Sequence, residues 1–201
     1  MYDIVFAGND RKGFEKKAKQ LGFKSILSVE DCGKDQGADI VLIDVTDVKE
    51  LRKQIAKSKR KYKMIVVRGS TDEINRTSIE SNQIDVLLSP EYSRRQDFMH
   101  YRNSGLNQVL CKAASKNNIT IGISLNEFKK VKDEKEKAMK LGRIIQNIRL
   151  CSKNKTKILL ASFSETPEQM VSASDLKDFA LAIGMGTKQA QESLKTAGRK
   201  A

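Results

Sequence analysis

The 201-residue chain holds a single histidine, His100, no tryptophan, two prolines and only 5% aromatic residues. A hydrolytic site with two or three metals needs several His, Asp and Glu ligands converging at strand ends, and one imidazole cannot supply that set. A Ser or Cys nucleophile would need a neighbouring base, yet no Gly-x-Ser-x-Gly elbow occurs and no cysteine sits beside the imidazole. Neither catalytic residues nor a metal site are therefore expected. The three cysteines, Cys32, Cys111 and Cys151, are too dispersed for a disulfide framework or a Cys-x-x-Cys zinc site. Cys111 and Cys151 fall on the apolar sides of expected helices and read as buried small hydrophobes. No apolar run approaches the ~20 residues of a membrane-spanning helix, and no secretory pattern opens the sequence. The expectation is a cytoplasmic protein with no membrane partner.

Positive charge, in contrast, is abundant. Lys and Arg number 38 against 25 Asp and Glu, a net of +13, which points to a polyanionic partner. The surplus falls in two blocks. Lys49–Lys63 has eight basic residues and one acid, and Leu125–Leu160 has eleven and four; each nets +7. Such blocks are either solvated helix faces or parts of one patch brought together by folding.

Seven short apolar runs, rich in Ile, Val and Leu, recur along the chain: Tyr2–Ala7, Ser25–Val29, Asp39–Val45, Lys63–Gly69, Ile84–Ser89, Ile119–Ser124 and Lys157–Ser162. They are continuous rather than alternating, as expected of parallel strands covered on both faces. Helical patterns lie between them, at about Arg11–Leu21, Val48–Ser58, Thr71–Glu80, Ser104–Asn117 and Glu134–Ser152, and two short helices follow Pro167. Asp47 and Ser70 are expected caps for the second and third, and Ser174 or Asp175 for the first C-terminal helix, which Gly184 would end. Leu106, Val109, Leu110 and Ala113 are expected to face the core in the fourth helix. In the fifth, Ala138, Leu141, Ile145 and Ile148 are expected inward, with Lys140, Arg143 and Asn147 outward. The alternation leaves a doubly wound open sheet or a TIM-like barrel. The strand count favours the barrel, and the length makes it a reduced one, in a single domain over residues 1–201.

"GNDRKG" (Gly8–Gly13) follows the first strand like half a P-loop, but Phe14 stands where the motif needs Lys, so it reads as a strand-to-helix turn. The chemistry-bearing pattern is cationic. Arg68 ends the fourth strand, where a barrel presents its site. The segment after the fifth strand, "SPEYSRRQDFMHYR", carries Arg94, Arg95 and Arg102 interleaved with Tyr92, Phe98 and Tyr101. Arginine matches phosphate bidentately and aromatic rings stack on unpaired bases, so RNA contact is expected here, with His100 touching phosphate or packing locally. Asp44, read as the one strand-end carboxylate, is taken as a cap or an ion-pair partner.

The ordered set "IDVLLSPEYSRRQDFMHYRNSGLNQVLCKAASKNNITIGISL" and "KILLASFSETPEQMVSASDLKDFALAIGM" resembles the thirty-kilodalton protein subunit family of archaeal and eukaryotic ribonuclease P, called protein component 3 in archaea. The resemblance runs from about Val41 to Ala201, through Asp85–Leu87, Ser104–Asn107, Asn118–Ser124 and the Asp175–Leu176 step. It implies an α/β fold: a reduced TIM-like (β/α) barrel related to the polymerase and histidinol phosphatase barrels but without their metal ligands. It further implies a subunit of the tRNA-processing ribonucleoprotein endonuclease that removes the 5′ leader from precursor tRNA. Its partners would be the ribonuclease P RNA, precursor tRNA through the holoenzyme, and the small ferredoxin-like protein component 2, in a hetero-oligomer. The chain itself would bind no cofactor, magnesium being used by the RNA. The expected RNA-binding set is Arg68, Arg94, Arg95, Arg102, Lys112 and Lys177; the segment 163–174 lacks an arginine that many relatives carry, so that contact is either absent or moved to Lys177. The alternatives are a stand-alone barrel phosphoesterase and a general binder of single-stranded RNA.

Overall fold

The computed structural model describes residues 1–34, 37–93 and 95–200, the side chains of 197–200 excepted. Its seven strands are β1 (Tyr2–Val5), β2 (Ser25–Asp31), β3 (Ile40–Ile43), β4 (Met64–Arg68), β5 (Val86–Leu88), β6 (Thr120–Ser124) and β7 (Ile158–Ala161). They pair in sequence order, every pair parallel. The ring closes beyond β7, where Phe163 N donates to Ile4 O at 2.8 Å and Phe6 N to Ser164 O at 2.8 Å. A sequential, all-parallel ring is a TIM-like barrel, not a doubly wound sheet.

The helices are α1 (Arg11–Gln20), α2 (Val48–Ser58), α3 (Asp72–Glu80), α4 (Gln108–Lys116), α5 (Leu125–Lys130), α6 (Glu134–Lys153), α7 (Ala173–Ala182) and α8 (Thr187–Lys200). No helix is assigned to the described part of the β2–β3 connection, which is how so short a chain completes a barrel. Helix α8 packs on β7 and β1 and so covers the seam. None of the helices, among the described residues, is long and apolar enough to cross a membrane.

Because side chains alternate along a strand, the continuous apolar runs divide into two cores. Ile4, Leu27, Ile40, Leu42, Val66, Leu88 and Phe163 pack with one another inside the ring. The alternate residues, among them Val5, Ile43, Val67, Leu87 and Ile121, pack outward against the helices. Each fully buried side chain of this kind contributes roughly 1.5–3 kcal/mol relative to exposure. Cys111 and Cys151 belong to the outer core, both fully buried, as expected.

An aspartate lies first or second in three of the strand runs and serves the same purpose in each. Asp39 Oδ2 accepts from Ser28 N at 3.2 Å, Asp85 Oδ2 from Ile65 N at 2.9 Å and Asp3 Oδ1 from Ser162 N at 2.8 Å. Each carboxylate thus takes a backbone N–H of the neighbouring strand, and Asp3 does so across the seam. Burial raises the Asp3 carboxyl to about 6, against the hydrogen bonds from Ser162 and Ile4 that lower it.

Several boundaries depart from the sequence reading. Helix α4 starts at Gln108, not near Ser104: Asn107 caps it through Leu110 N at 2.9 Å, and Val109 is 70% exposed while Leu110, Cys111 and Ala114 face inward. Thr71, not Ser70, caps α3. Ser172 caps α7 in a reciprocal capping box with Asp175, and Gly184 follows its end at φ +94° as expected. β2 continues to Asp31, so Asp44 is not the only carboxylate near a strand end. Helix α6 is rotated from its expected phase: Arg143, Ile144, Asn147, Ile148 and Cys151 are buried, whereas Ala138 is exposed. The reason lies in what its inner face touches.

Candidate nucleic-acid interface

After β5 the chain makes a single 3-10 turn, Pro90–Tyr92, and then the irregular segment up to Asn107. Such a loop leaves backbone carbonyls without strand or helix partners, and buried ones must find donors. Helix α6 supplies them. The Arg143 side chain, 1% exposed, donates through Nη1 to Ser93 O at 2.7 Å and Glu91 O at 3.1 Å, through Nη2 to Arg95 O, and through Nε to Asp97 Oδ1 at 2.8 Å. One planar guanidinium thereby fixes four points of the loop. Further along, Gln146 Nε2 donates to Arg102 O at 2.8 Å and Ser104 Oγ at 2.9 Å, and Asn147 Nδ2 to Ser104 O at 2.9 Å. At the loop's exit Gly105 takes φ +75°, and Asn75 Nδ2 donates to its carbonyl at 3.2 Å. A Cβ there would fall 2.1 Å from Pro90 O, so only glycine fits.

Beneath this loop, at the C-terminal mouth of the barrel, the charges cancel. Arg68 Nε lies 2.9 Å from Asp44 Oδ2, and its Nη1 pairs with Glu127 Oε1. Glu91 is 1% exposed, and burial lifts its carboxyl to about 8, reinforced by the Glu127 charge. The Tyr92 ring lies 3.8 Å from Lys140 Nζ, which also reaches Glu136 at 2.7 Å. Among the described residues, no group of three or more His, Cys, Asp and Glu could hold a metal ion.

The expected RNA contacts distribute as follows. Arg68 and Arg95 line one cavity of about 650 Å³ at the mouth. Arg95, paired with Asp72, is shared with an adjoining cavity of about 620 Å³ that Arg102 also lines. The structure thus brings Arg68, Arg95 and Arg102 along one rim. Lys112 is exposed on α4, three residues beyond the cavity-lining Val109. Lys177, half-buried on α7, lines neither cavity, and Arg94 lies outside the described residues. The two basic blocks do not merge: α2 and α6 are separated around the barrel by α3 and α4, which contact them in turn. His100 is exposed in the loop, away from any strand end.

Residue reading alone missed Arg143 as the loop's organiser and Glu127 and Glu91 as partners at the mouth. The first carried no sequence signal, because apolar periodicity puts Arg143 on the outward face of its helix.

A TIM-like barrel carrying a cationic loop at its C-terminal rim is the class that fold and site define. The family model described as RNase P subunit p30 matches residues 38–201, and the chain belongs to that family. Ribonuclease P protein component 3 of Methanothermobacter thermautotrophicus is 29% identical over 158 residues, covering 77% of this chain and 60% of the relative. The protein of the same name from Methanosarcina mazei is 27% identical over 146 residues, covering 73% and 57%. The chain therefore spans somewhat over half the length of these curated relatives. Among solved structures, a chain of archaeal ribonuclease P with mature tRNA superposes with a TM-score of 0.82 at 22% identity, covering 100% of this chain and 89% of the other. That likeness establishes the shared barrel.

Proposed function

We propose that this chain is a protein subunit of ribonuclease P, supporting RNA-catalysed removal of the 5′ leader from precursor tRNA. The observation that carries the proposal is family membership over residues 38–201; the rim of arginines supports it physically. In this reading the chain binds the ribonuclease P RNA and a small ferredoxin-like partner subunit, and meets precursor tRNA through the assembled particle. Bond cleavage and the magnesium it uses belong to the RNA, and the assembly works in the cytoplasm. The RNA-facing set is Arg94, Arg95, Arg102 and Lys112, with Lys177 a separate contact. Arg68 joins that set only by leaving Asp44 and Glu127, which occupy its guanidinium. The stand-alone phosphoesterase reading is not favoured, since Asp44 and Glu127 at the mouth are paired with Arg68 and the relatives carry the ribonuclease P name.

Reconstitution tests this. Adding the chain to the ribonuclease P RNA and the small subunit, at limiting protein and low magnesium, should raise the rate of leader cleavage. RNA affinity should fall by about 0.7 to 0.9 log units per log unit of salt for each phosphate neutralised. Arg95→Ala and Arg102→Ala should each weaken that stimulation without changing the melting temperature. Cleavage indifferent to the chain would overturn the proposal.

A further inference from the structure

Six large hydrophobic side chains are exposed among the described residues, and four of them fall within twelve positions: Phe98 (58%), Met99 (92%), Tyr101 (58%) and Val109 (70%). Exposed apolar side chains gathered in one place mark an interaction site. This group is built rather than loose. The Phe98 and Tyr101 rings stack with centroids 4.7 Å apart at 26°, and Phe98 N donates to Tyr101 O at 2.9 Å, holding the tip in a tight turn.

The next residue, Arg102, is held equally firmly. Gln146 accepts from its N–H at 3.4 Å and donates to its carbonyl at 2.8 Å. Its guanidinium lies over Gly142 of α6, where a Cβ would come 2.4 Å from Arg102 Nε. Glycine is a poor residue for a helix interior; here it opens the groove in which the guanidinium rests. No carboxylate pairs with Arg102 among the described residues. Tyr101, Arg102 and Val109 together line the cavity of about 620 Å³, whose one carboxylate, Asp72, is already taken by Arg95.

We propose that this corner is a stacking site for an unpaired nucleobase of bound RNA, the base lying on the Tyr101–Phe98 pair and the adjoining phosphate on Arg102. The inference rests on the RNA-binding reading above and assigns it a defined substructure. A nucleotide satisfies both halves of the site at once, because its base offers an apolar face and its phosphate a bidentate acceptor. An apolar protein surface would cover the rings but leave Arg102 without an anion. A duplex hides its base faces, so the site selects single strands, loops or bulges.

The test measures binding of the full chain to a short labelled oligouridylate and to an abasic strand of the same length and charge. The wild type should prefer the strand with bases by about tenfold, the scale of one base–aromatic stack. Tyr101→Ala should remove that preference and Tyr101→Phe should keep it. Arg102→Ala should weaken both strands and lower the salt slope by about 0.7, and Gly142→Ala should reproduce that loss in part. Melting temperatures should stay at the wild-type value for the two Tyr101 variants. Equal, salt-dependent binding of both strands by the wild type overturns the stacking site while leaving the RNA-subunit reading intact. An unchanged base preference in Tyr101→Ala, accompanied by lost binding of a partner subunit, overturns it in favour of a protein surface. If the wild type binds neither strand nor the ribonuclease P RNA, both readings fall.

Discussion

Arg68 and Arg143 are both arginines near the same loop, yet they work under opposite conditions. Arg68, 30% exposed, stands at the barrel mouth between two carboxylates, so its charge is cancelled where a barrel usually presents its chemistry. Arg143 is buried, meets one carboxylate, and gives three further N–H donors to backbone carbonyls. The first neutralises a surface; the second gives an irregular segment a shape. A count of cations says nothing about which of them is available to a polyanion, because availability is set by the acceptors each already has. Arg102, which pairs with no carboxylate among the described residues, is held ready.

The sharpest way to break this comparison is Arg143→Leu. It removes the donor to four acceptors, leaving the loop carbonyls unmatched and Asp97 with only its bond from Asn103 N at 2.8 Å, so stability should fall by about 3 kcal/mol, the scale for breaking a buried pair. Urea denaturation reads this directly. Arg143→Lys keeps the charge but loses the fork and should recover less than half.

Per pH unit, a smaller effect is expected from Glu91→Gln. The folded carboxyl titrates at about 8 against an ordinary 4.5. Between those values the native state keeps a proton that the unfolded chain has released, so stability falls as pH rises through that window, by at most about 1.4 kcal/mol per pH unit. The amide variant should flatten the fall between about pH 4.5 and 8, measured as melting temperature, with the wild-type slope elsewhere. Asp3, whose carboxyl is raised to about 6, contributes a fall of the same sign at lower pH and is untouched by the change. An identical pH profile in the variant would place the titration on another group.

The smallest effects concern the start of α4. Asn107→Ala should cost about 1 kcal/mol as a lost cap, whereas Val109→Ala should stay within about 0.5 kcal/mol as a surface change. Were the helix to begin near Ser104 with Val109 in the core, the order of those two would reverse.

The strands were legible because parallel strands buried on both faces write themselves as unbroken Ile, Val and Leu runs, and Arg68 was placed at a strand end from that alone. The aspartates before Ile4, Ile40 and Val86 went unread, although each is an Asp followed by two aliphatic residues, because their shared use needed the neighbouring strands to be seen. Helix α6 misled because apolar periodicity assumes an apolar surface to pack against. Half of its inner face meets loop carbonyls, so Arg143 and Asn147 are the residues that fit there. The groove over Gly142 is invisible in sequence, since its occupant is forty positions away along the chain. Whether the rim arginines touch RNA is a question about acceptors that sequence does not locate: Asp44 and Glu127 come to Arg68 from different elements.

The bond from Ser162 N to Asp3 joins residues 159 positions apart. On a ribosome adding about 5–20 residues per second, the opening strand waits roughly 8–30 s for the neighbour that completes its hydrogen bonds. During that interval an apolar strand edge is bare, a hazard for misassociation. Nascent chains stopped before β7 should therefore recruit chaperones, and release should coincide with the emergence of Phe163 and Ser164.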